Sequence, residues 1–209
     1  MLWSLLAVLA AYLVGSLSFA VIVSRMMGLA DPRSYGSGNP GATNVLRSGS
    51  KAAAIVTLLL DAFKGWLPVM LIQWFGEPLG LGEGTQALAG LAAFAGHLWA
   101  VFFGFAGGKG VATAAGVLLA FEPWLGVATL ASWLIIAFFF RYSSLASMLA
   151  ALFAPAYYLL GDGVGWQASG AKALAMLAMS LLLIWRHREN ISRLLAGKES
   201  KLGAKKKSG

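Results

Sequence analysis

Two glycine-rich stretches hold the residues of this chain that are best suited to chemistry. Residues 36–44 contain three glycines, one proline and four side chains that form hydrogen bonds, and residues 107–110 set Lys109 among three glycines. Glycine permits positive φ and a close approach of a ligand to the backbone, so consecutive N–H groups can turn toward an anion. Both stretches therefore predict loops that hold a phosphate group.

Charged side chains near these loops suit the same ligand. Arg47 follows the first loop, and its planar guanidinium matches a phosphate. Lys109 adds an ammonium group at the start of a predicted helix, but the spacing of a Walker A motif is missing, so nucleotide hydrolysis is not indicated. His97 lies in an apolar stretch, where it has either a substrate role or an ordinary hydrogen bond. Asp61 and Lys64 share one helix face and are expected to neutralise each other.

The composition is that of an integral membrane protein. Hydrophobic residues make up 59% of the 209 residues, charged residues only 11%, and the mean hydropathy is +0.75, whereas soluble domains carry about 25% charged residues. The lack of cysteine excludes disulfides, thiolate metal sites and cysteine nucleophiles. The net charge of +8 is expected from basic loops beside anionic lipid, and not from nucleic-acid binding, for which no motif is present. We expect no cofactor and no metal site.

Apolar stretches of bilayer length predict an all-α fold with seven transmembrane helices. The stretch 111–140 is either one long helix or two helices divided at Pro123. Division puts the basic loops and tail on one side and the acidic loop residues on the other, as the positive-inside rule requires. The N-terminus is then outside and the C-terminus cytoplasmic. The predicted helices are 2–23, 52–75, 86–105, 111–121, 123–140, 143–160 and 171–185.

One domain is expected over residues 1–209. Its last part, 196–209, is predicted to be a flexible basic tail, and residues 205–209 are expected to contact solvent or lipid.

Four polar stretches that this topology brings to the cytoplasmic side resemble one known family. Residues 36–47 read Gly-Ser-Gly-Asn-Pro-Gly-Ala-Thr-Asn-Val-Leu-Arg, which resembles the first signature of the bacterial acyl-phosphate:glycerol-3-phosphate acyltransferases. Residues 96–113 resemble the second signature, and residues 143–147 and 186–191 resemble the remaining ones. The similarity covers essentially the whole chain, although the family usually has proline at Ala100 and a basic residue at Ala106.

The resemblance implies a seven-helix enzyme of the bacterial inner membrane with its active site facing the cytoplasm. Such an enzyme transfers a fatty acyl group from acyl phosphate to the sn-1 hydroxyl of glycerol 3-phosphate, giving lysophosphatidic acid and phosphate. Its partners would be these substrates and membrane lipids, and its oligomeric state is open. The residues assigned to catalysis are Ser37, Arg47, His97 and Lys109. The residues assigned to substrate binding are Gly38, Asn39, Gly41, Thr43, Asn44, Gly107, Gly108, Gly110, Ser147, His187 and Asn190.

One mechanistic step and one functional class stay open. Acyl phosphate has a good leaving group, so positioning and charge stabilisation should dominate catalysis. His97 can take the proton of the attacking hydroxyl, or a phosphate oxygen of the donor can take it; Ser37 as an acyl-enzyme nucleophile is a third mechanism. The alternative function is a transporter of organic phosphates, although no inverted repeat is visible in the sequence.

Overall fold

The protein is described here by a computed structural model of residues 1–203, and these residues form ten α-helices. The helices confirm the predicted all-helical class. In chain order they are α1 Leu2–Gly15, α2 Phe19–Met26, α3 Ala42–Val45, α4 Lys51–Phe75, α5 Glu83–Leu98, α6 Val111–Phe121, α7 Pro123–Phe140, α8 Ser143–Leu160, α9 Gly170–Arg186 and α10 Arg188–Leu195.

The first predicted helix, 2–23, is wrong as a continuous element. It is broken into α1 and α2, which meet at an angle of 44°. The Ser16 hydroxyl donates to the Tyr12 carbonyl oxygen at 2.9 Å, a local bond that is common where helices bend. The Leu17 carbonyl oxygen lies in the break and accepts a hydrogen bond from Lys64 Nζ at 2.7 Å. Broken helices are tolerated within membranes when side chains satisfy the freed backbone in this way.

Small residues let α1 cross α5 at close range. A Cβ atom on Gly15 would lie 2.1 Å from the Ala93 carbonyl oxygen, and one on Gly96 would lie 2.3 Å from the Tyr12 carbonyl oxygen. Any side chain at either position would push the two backbones apart, so glycine is needed at both.

The third predicted helix, 86–105, is shifted in the structure. Helix α5 begins earlier, at Glu83, and ends at Leu98, after which the chain forms a 3₁₀ turn at Val101–Phe103. The Tyr12 hydroxyl donates to the Trp99 carbonyl oxygen at 2.7 Å, so a side chain of α1 satisfies a carbonyl just beyond the helix end. The early end of α5 allows residues 104–110 to return beside it.

Four to five spans of the membrane are evident from length and composition within residues 1–203. Helices α4, α7 and α8 qualify, as does α5 extended to Phe103, and α1 with α2 gives a fifth candidate. The protein is therefore a multi-pass integral membrane protein. Helix α6 is apolar but has 11 residues, and α9 has 17. Only Glu122 separates α6 from α7, which confirms the predicted division at Pro123.

The bundle buries one large apolar core and exposes other apolar side chains. Phe94, Phe121 and Tyr158 are fully enclosed between the helices. On α7, by contrast, Phe138 and Phe139 are 77% and 73% exposed. In water such a surface would favour association, whereas in a bilayer it contacts acyl chains.

The two ends of the bundle carry different polar groups. At one end, Lys172 at the start of α9 has its Nζ 3.6 Å from Glu83 Oε1 and 3.9 Å from Glu122 Oε1. Glu83 begins α5 and Glu122 follows α6. The two glycine loops lie at the other end, after α2 and between α5 and α6.

Residues 196–203 turn back onto the bundle after α10. Gly197 has φ +66°, and the N–H of Lys198 donates to the Arg193 carbonyl oxygen at 2.7 Å, an ending in which a left-handed glycine reverses the chain. Leu202 then packs on the apolar cluster of α7 and α8 that contains Ile136. The flexibility predicted for 196–209 stays a prediction, and the predicted contacts of 205–209 lie outside the described residues.

Candidate active site

The first glycine loop is held in shape by the buried side chain of Asn44. Its Oδ1 accepts the N–H of Ser37 at 3.0 Å, and its Nδ2 donates to the carbonyl oxygens of Pro32 at 2.6 Å and Tyr35 at 3.1 Å. Gly36 has φ +62°, and a Cβ there would lie 2.2 Å from Asn44 Oδ1. Both amide protons of Asn44 are thus used inside the loop, so this residue shapes the loop; its predicted contact with substrate stays a prediction.

The second glycine loop is fixed by Arg186 at the end of α9. Arg186 Nη2 donates to the Gly107 carbonyl oxygen at 2.9 Å and to the Gly108 carbonyl oxygen at 3.0 Å. The N–H of Gly108 donates to the His97 carbonyl oxygen at 3.0 Å. Gly110 has φ +83°, a conformation that favours glycine, and leads directly into α6.

The two loops touch through Gly108. A Cβ on this residue would lie 2.2 Å from His97 Nε2 and 2.8 Å from the Pro40 carbonyl oxygen. Gly108 is therefore enclosed between the histidine of α5 and the first loop, and no larger residue fits there without moving one of them.

A cavity of about 180 Å³ lies between the two loops and the junction of α9 with α10. It is polar and strongly positive, because four lining side chains are cations and one is an acid. A concave group of cations and backbone loops is suited to phosphate groups. The lining residues are Ser37, Gly38, Asn39, Gly107, Lys109, Arg186, Arg188, Glu189 and Arg193.

Lys109 reaches across the cavity wall to α10. Its Nζ donates to Asn190 Oδ1, which joins a residue of the second loop to a residue of the last helix. Burial and the nearby Arg193 guanidinium lower the pKa of Lys109 to about 8. The group is therefore still largely an ammonium at neutral pH and keeps its attraction for phosphate.

His187 is buried at the junction of α9 with α10 and does not line the cavity. Its Nδ1 lies 2.8 Å from the Leu183 carbonyl oxygen. A carbonyl only accepts, so Nδ1 carries the proton and Nε2 keeps a lone pair. Burial lowers the pKa of His187 to about 4, so the imidazole is neutral at pH 7.

The structure brings together part of the predicted site. Ser37, Gly38, Asn39, Gly107 and Lys109 share the cavity wall. Asn190 contacts Lys109, and Gly108 and Gly110 shape the second loop.

Besides Asn44, His97, Gly108, Gly110, His187 and Asn190, four further predicted residues lie outside the cavity lining: Gly41, Thr43, Arg47 and Ser147. Arg47 Nη2 donates to Ser200 Oγ at 2.8 Å. Ser147 accepts from Trp133 Nε1 at 3.0 Å and donates to the Ser143 carbonyl oxygen at 2.7 Å. The roles predicted for these four stay predictions.

His97 sits behind the second loop in a buried polar cluster. Its Nδ1 lies 3.2 Å from Thr113 Oγ1 and 3.6 Å from Asp61 Oδ1. Asp61 in turn lies 2.7 Å from Lys64 Nζ, so the predicted neutralising pair is present and includes the histidine. The side chain is 7% exposed, its Nε2 lies beside Gly108, and it is not among the residues that line the cavity.

Three cavity arginines were not among the predicted site residues: Arg186, Arg188 and Arg193. Arg186 ends α9 and Arg188 begins α10, while Asn190 and Arg193 are three residues apart on α10, the spacing of one helix face. That spacing was the available signal. The residue that orients Asn190 is Glu199, which was also not predicted, and the sequence pattern offered no sign of it.

Comparison with known proteins identifies the family. The family model for glycerol-3-phosphate acyltransferase matches residues 5–197. The chain belongs to the glycerol-3-phosphate acyltransferase family. It is similar to the glycerol-3-phosphate acyltransferase of Albidiferax ferrireducens, with 69% identity over 201 residues that cover 96% of this chain and 90% of the relative. It is also similar to that of Burkholderia pseudomallei, with 65% identity over 210 residues that cover 98% of each chain.

Solved structures of the family have the same fold. The chain is similar to the crystal structure of PlsY (YgiH), an integral membrane glycerol 3-phosphate acyltransferase, in its glycerol 3-phosphate form, with a TM-score of 0.86, 38% identity and 96% of both chains covered. It is similar to the lysophosphatidic acid form with a TM-score of 0.85 and 37% identity over 96% of this chain and 95% of the other. The chain is thus an integral membrane acyltransferase of phospholipid synthesis that produces lysophosphatidic acid, and the transporter alternative is set aside.

Proposed function

We propose that this acyltransferase takes its acyl group from acyl phosphate and transfers it to the sn-1 hydroxyl of glycerol 3-phosphate in the cavity between the glycine loops. The observation that carries the proposal is the cavity itself, which combines Lys109 and three arginines with two glycine loops. Both substrates carry a phosphate, and a cavity with four cations and one acid can balance two such groups.

The first glycine loop supplies hydrogen-bonding groups for the substrates, and the cations supply positive charge. Ser37, Gly38 and Asn39 offer a hydroxyl, an amide and backbone N–H groups from one wall, while Lys109 and Arg193 supply charge from the other. The crystal structures of the relatives hold glycerol 3-phosphate and lysophosphatidic acid, and we propose that this chain binds both as substrate and product. Arg186 holds the second loop and also faces the cavity, so it acts on the phosphate and on the loop together.

The acyl transfer needs charge stabilisation more than covalent help. The glycerol hydroxyl attacks the acyl carbon, the bond from that carbon to the phosphate oxygen breaks, and the phosphate leaves with the electron pair. Cations at the cavity wall stabilise the charge that develops on this leaving group. Holding both substrates in one polar cavity places the hydroxyl next to the acyl carbon, which lowers the activation barrier.

A phosphate oxygen of the donor is the proton acceptor that the geometry favours. His97 is buried behind Gly108, and its Nδ1 is engaged with Thr113. A general base must come within about 3 Å of the hydroxyl, or within one water of it, and His97 does not line the cavity. His97 then acts by supporting the second loop. Within residues 1–203, Ser37 has no base among its hydrogen-bond partners, so the acyl-enzyme route is not supported.

We propose seven membrane crossings with the N-terminus outside and the C-terminus cytoplasmic, in the bacterial inner membrane. The crossings are α1 with α2, then α4, α5, α6, α7, α8 and α9. Support comes from the separation of the two bundle ends, with Glu83 and Glu122 at one and the basic loops at the other. The chain has no cysteine, so single cysteines can be introduced at Glu77 and at Ser48. A membrane-impermeant maleimide should label only the Glu77 variant in spheroplasts, and labelling of the Ser48 variant would contradict the orientation.

The donor is tested with purified protein in detergent or lipidic mesophase. Palmitoyl phosphate and glycerol 3-phosphate are supplied, and phosphate and lysophosphatidic acid are measured together. We expect both products in equal amounts, loss of both in Lys109→Ala, and none from acyl-CoA. Product formed from acyl-CoA in place of acyl phosphate, by protein with native thermal unfolding, would contradict the proposed donor.

A further inference from the structure

The carboxylate of Glu199 accepts hydrogen bonds from side chains of two helices, α8 and α10, beside the cavity. Its Oε1 accepts from Ser144 Oγ at 2.7 Å and from Asn190 Nδ2 at 2.6 Å, and its Oε2 accepts from Arg193 Nε at 2.7 Å. The side chain is 8% exposed. A carboxylate this buried is costly unless its oxygens are satisfied, and here three side chains of α8 and α10 satisfy them.

These contacts fix the orientation of the Asn190 amide. A lysine ammonium only donates and a carboxylate only accepts. The amide oxygen must therefore face Lys109 and the amide nitrogen must face Glu199, as they do in the structure. Without the carboxylate, the amide could rotate and present its NH₂ group to the ammonium, which offers no hydrogen bond.

The chain reversal after α10 brings Glu199 to this position. Residues 198–203, the C-terminal segment, follow the left-handed Gly197. Two hydrogen bonds with Arg141, one to its backbone and one from its side chain, anchor the far end of the segment. The Leu202 N–H donates to the Arg141 carbonyl oxygen at 2.6 Å, and Arg141 Nη2 donates to the Leu202 carbonyl oxygen at 2.9 Å. Between these anchors, Ser200 accepts a hydrogen bond from Arg47. The segment is thus tied to three separate parts of the same end of the bundle.

We propose that Glu199 is a positioning residue for acyl transfer, acting through Asn190 to hold the Lys109 ammonium at the cavity wall. Glu199 itself does not line the cavity, so it is not a catalytic residue. The inference rests on the proposal that acyl transfer takes place in this cavity.

The first test is a double-mutant cycle on purified protein. Glu199→Gln keeps the size of the side chain and removes its charge; loss of a hydrogen bond to a charged group should lower kcat/KM by about tenfold or more. In an Asn190→Ala background the same change should lower kcat/KM by at most about threefold, because the route through Asn190 to Lys109 is gone and only the contact of Glu199 with Arg193 remains. Glu77→Gln is the matched control, since Glu77 is exposed on the loop after α4, and it should leave kcat/KM unchanged.

The pH profile separates positioning from a general structural role. The negative charge of Glu199 opposes the burial that lowers the pKa of Lys109. Its removal should therefore move the alkaline limb of kcat/KM to lower pH, which a merely destabilised protein would not show. If Glu199→Gln is not recovered folded, Ser144→Ala removes one of the three donors and should lower kcat/KM in the native background but not with Asn190→Ala.

Two outcomes overturn the proposal. The first is a folded Glu199→Gln protein with the kcat/KM and pH profile of the wild type, or the same result for Ser144→Ala if Glu199→Gln does not fold. The second is full additivity with Asn190→Ala. Failure of the wild-type protein to make lysophosphatidic acid from acyl phosphate would instead contradict the proposed donor, so the two failures are distinguishable.

Discussion

Replacement of Gly108 by alanine should lower the rate of acyl transfer strongly and the stability of the fold only modestly. The added Cβ would lie 2.2 Å from His97 Nε2 and 2.8 Å from the Pro40 carbonyl oxygen. Since the van der Waals contact distance between heavy atoms is about 3.5 Å, the second loop must move by about 1 Å away from α5 or the first loop. Lys109 is the next residue and moves with it. A displacement of about 1 Å in a positioning group costs on the order of 10²-fold in rate.

The expected loss of stability is smaller than the loss of activity. Overpacking of a tight site costs about 1–3 kcal/mol, and the helices that carry the core do not depend on this loop. Initial rates with palmitoyl phosphate and glycerol 3-phosphate are to be compared with thermal unfolding in the same detergent. Gly84→Ala is the control, because within residues 1–203 a Cβ there would have no atom within 4 Å beyond its own stretch of helix. A folded Gly108→Ala protein with activity within about threefold of wild type would refute the reasoning.

Three further predictions concern charge. Because the pKa of Lys109 is about 8, kcat/KM should fall as the pH rises through 8, and a kcat/KM that stays flat to pH 10 would contradict this. Between pH 8 and 10.5, the ordinary pKa of lysine, Lys109 is protonated in the unfolded chain but not in the folded one. The unfolded chain then binds more protons, so the contribution of Lys109 to the free energy of unfolding should rise with pH over that range. Arg186→Lys should lower kcat/KM about tenfold, because the flexible lysine side chain lacks the rigid planar fork by which the guanidinium holds the Gly107 and Gly108 carbonyl oxygens together. Unchanged kinetics would show that the loop is held otherwise. Asp61→Asn should lower the free energy of unfolding by about 3–5 kcal/mol in thermal or denaturant unfolding, since it leaves the buried Lys64 charge unpaired. Addition of Lys64→Gln, which is neutral and can still donate to the Leu17 carbonyl oxygen, should restore much of that loss.

Hydrophobicity predicted the long helices well because each is decided by its own residues. Helices α4 and α8 begin and end within one residue of the predicted 52–75 and 143–160. The break between α1 and α2 was not predictable in this way, because the Leu17 carbonyl is satisfied by Lys64, a residue 47 positions away. The same applies to the early end of α5, where Tyr12 reaches the Trp99 carbonyl from another helix.

The site was predictable to the extent that it is made of loops with unusual composition. The glycines of residues 36–44, and the lysine among the glycines of residues 107–110, predict two loops from the sequence alone, and Gly36, Gly38 and Gly110 have positive φ in the structure. The binding of phosphate by these loops stays a prediction. Which polar residues face the cavity depends on tertiary contacts. Asn44 was assigned to substrate but bonds its own loop, and Glu199 has no motif of its own but accepts from three side chains of other elements.

The shortness of α6 bears on how water-soluble glycerol 3-phosphate meets an acyl donor that is anchored in the membrane. Its 11 residues extend over about 16 Å, against a hydrocarbon layer of about 30 Å. Residues 107–110 precede this helix and Glu122 follows it, so with the proposed seven crossings they cannot both reach bulk water across an undisturbed bilayer. The membrane must thin there, or the polar cavity must lie as a dip below the level of the lipid headgroups. In the proposed reaction, the head of the acyl donor enters the dip while its acyl chain stays among the lipid tails, so that the chain need not leave the membrane.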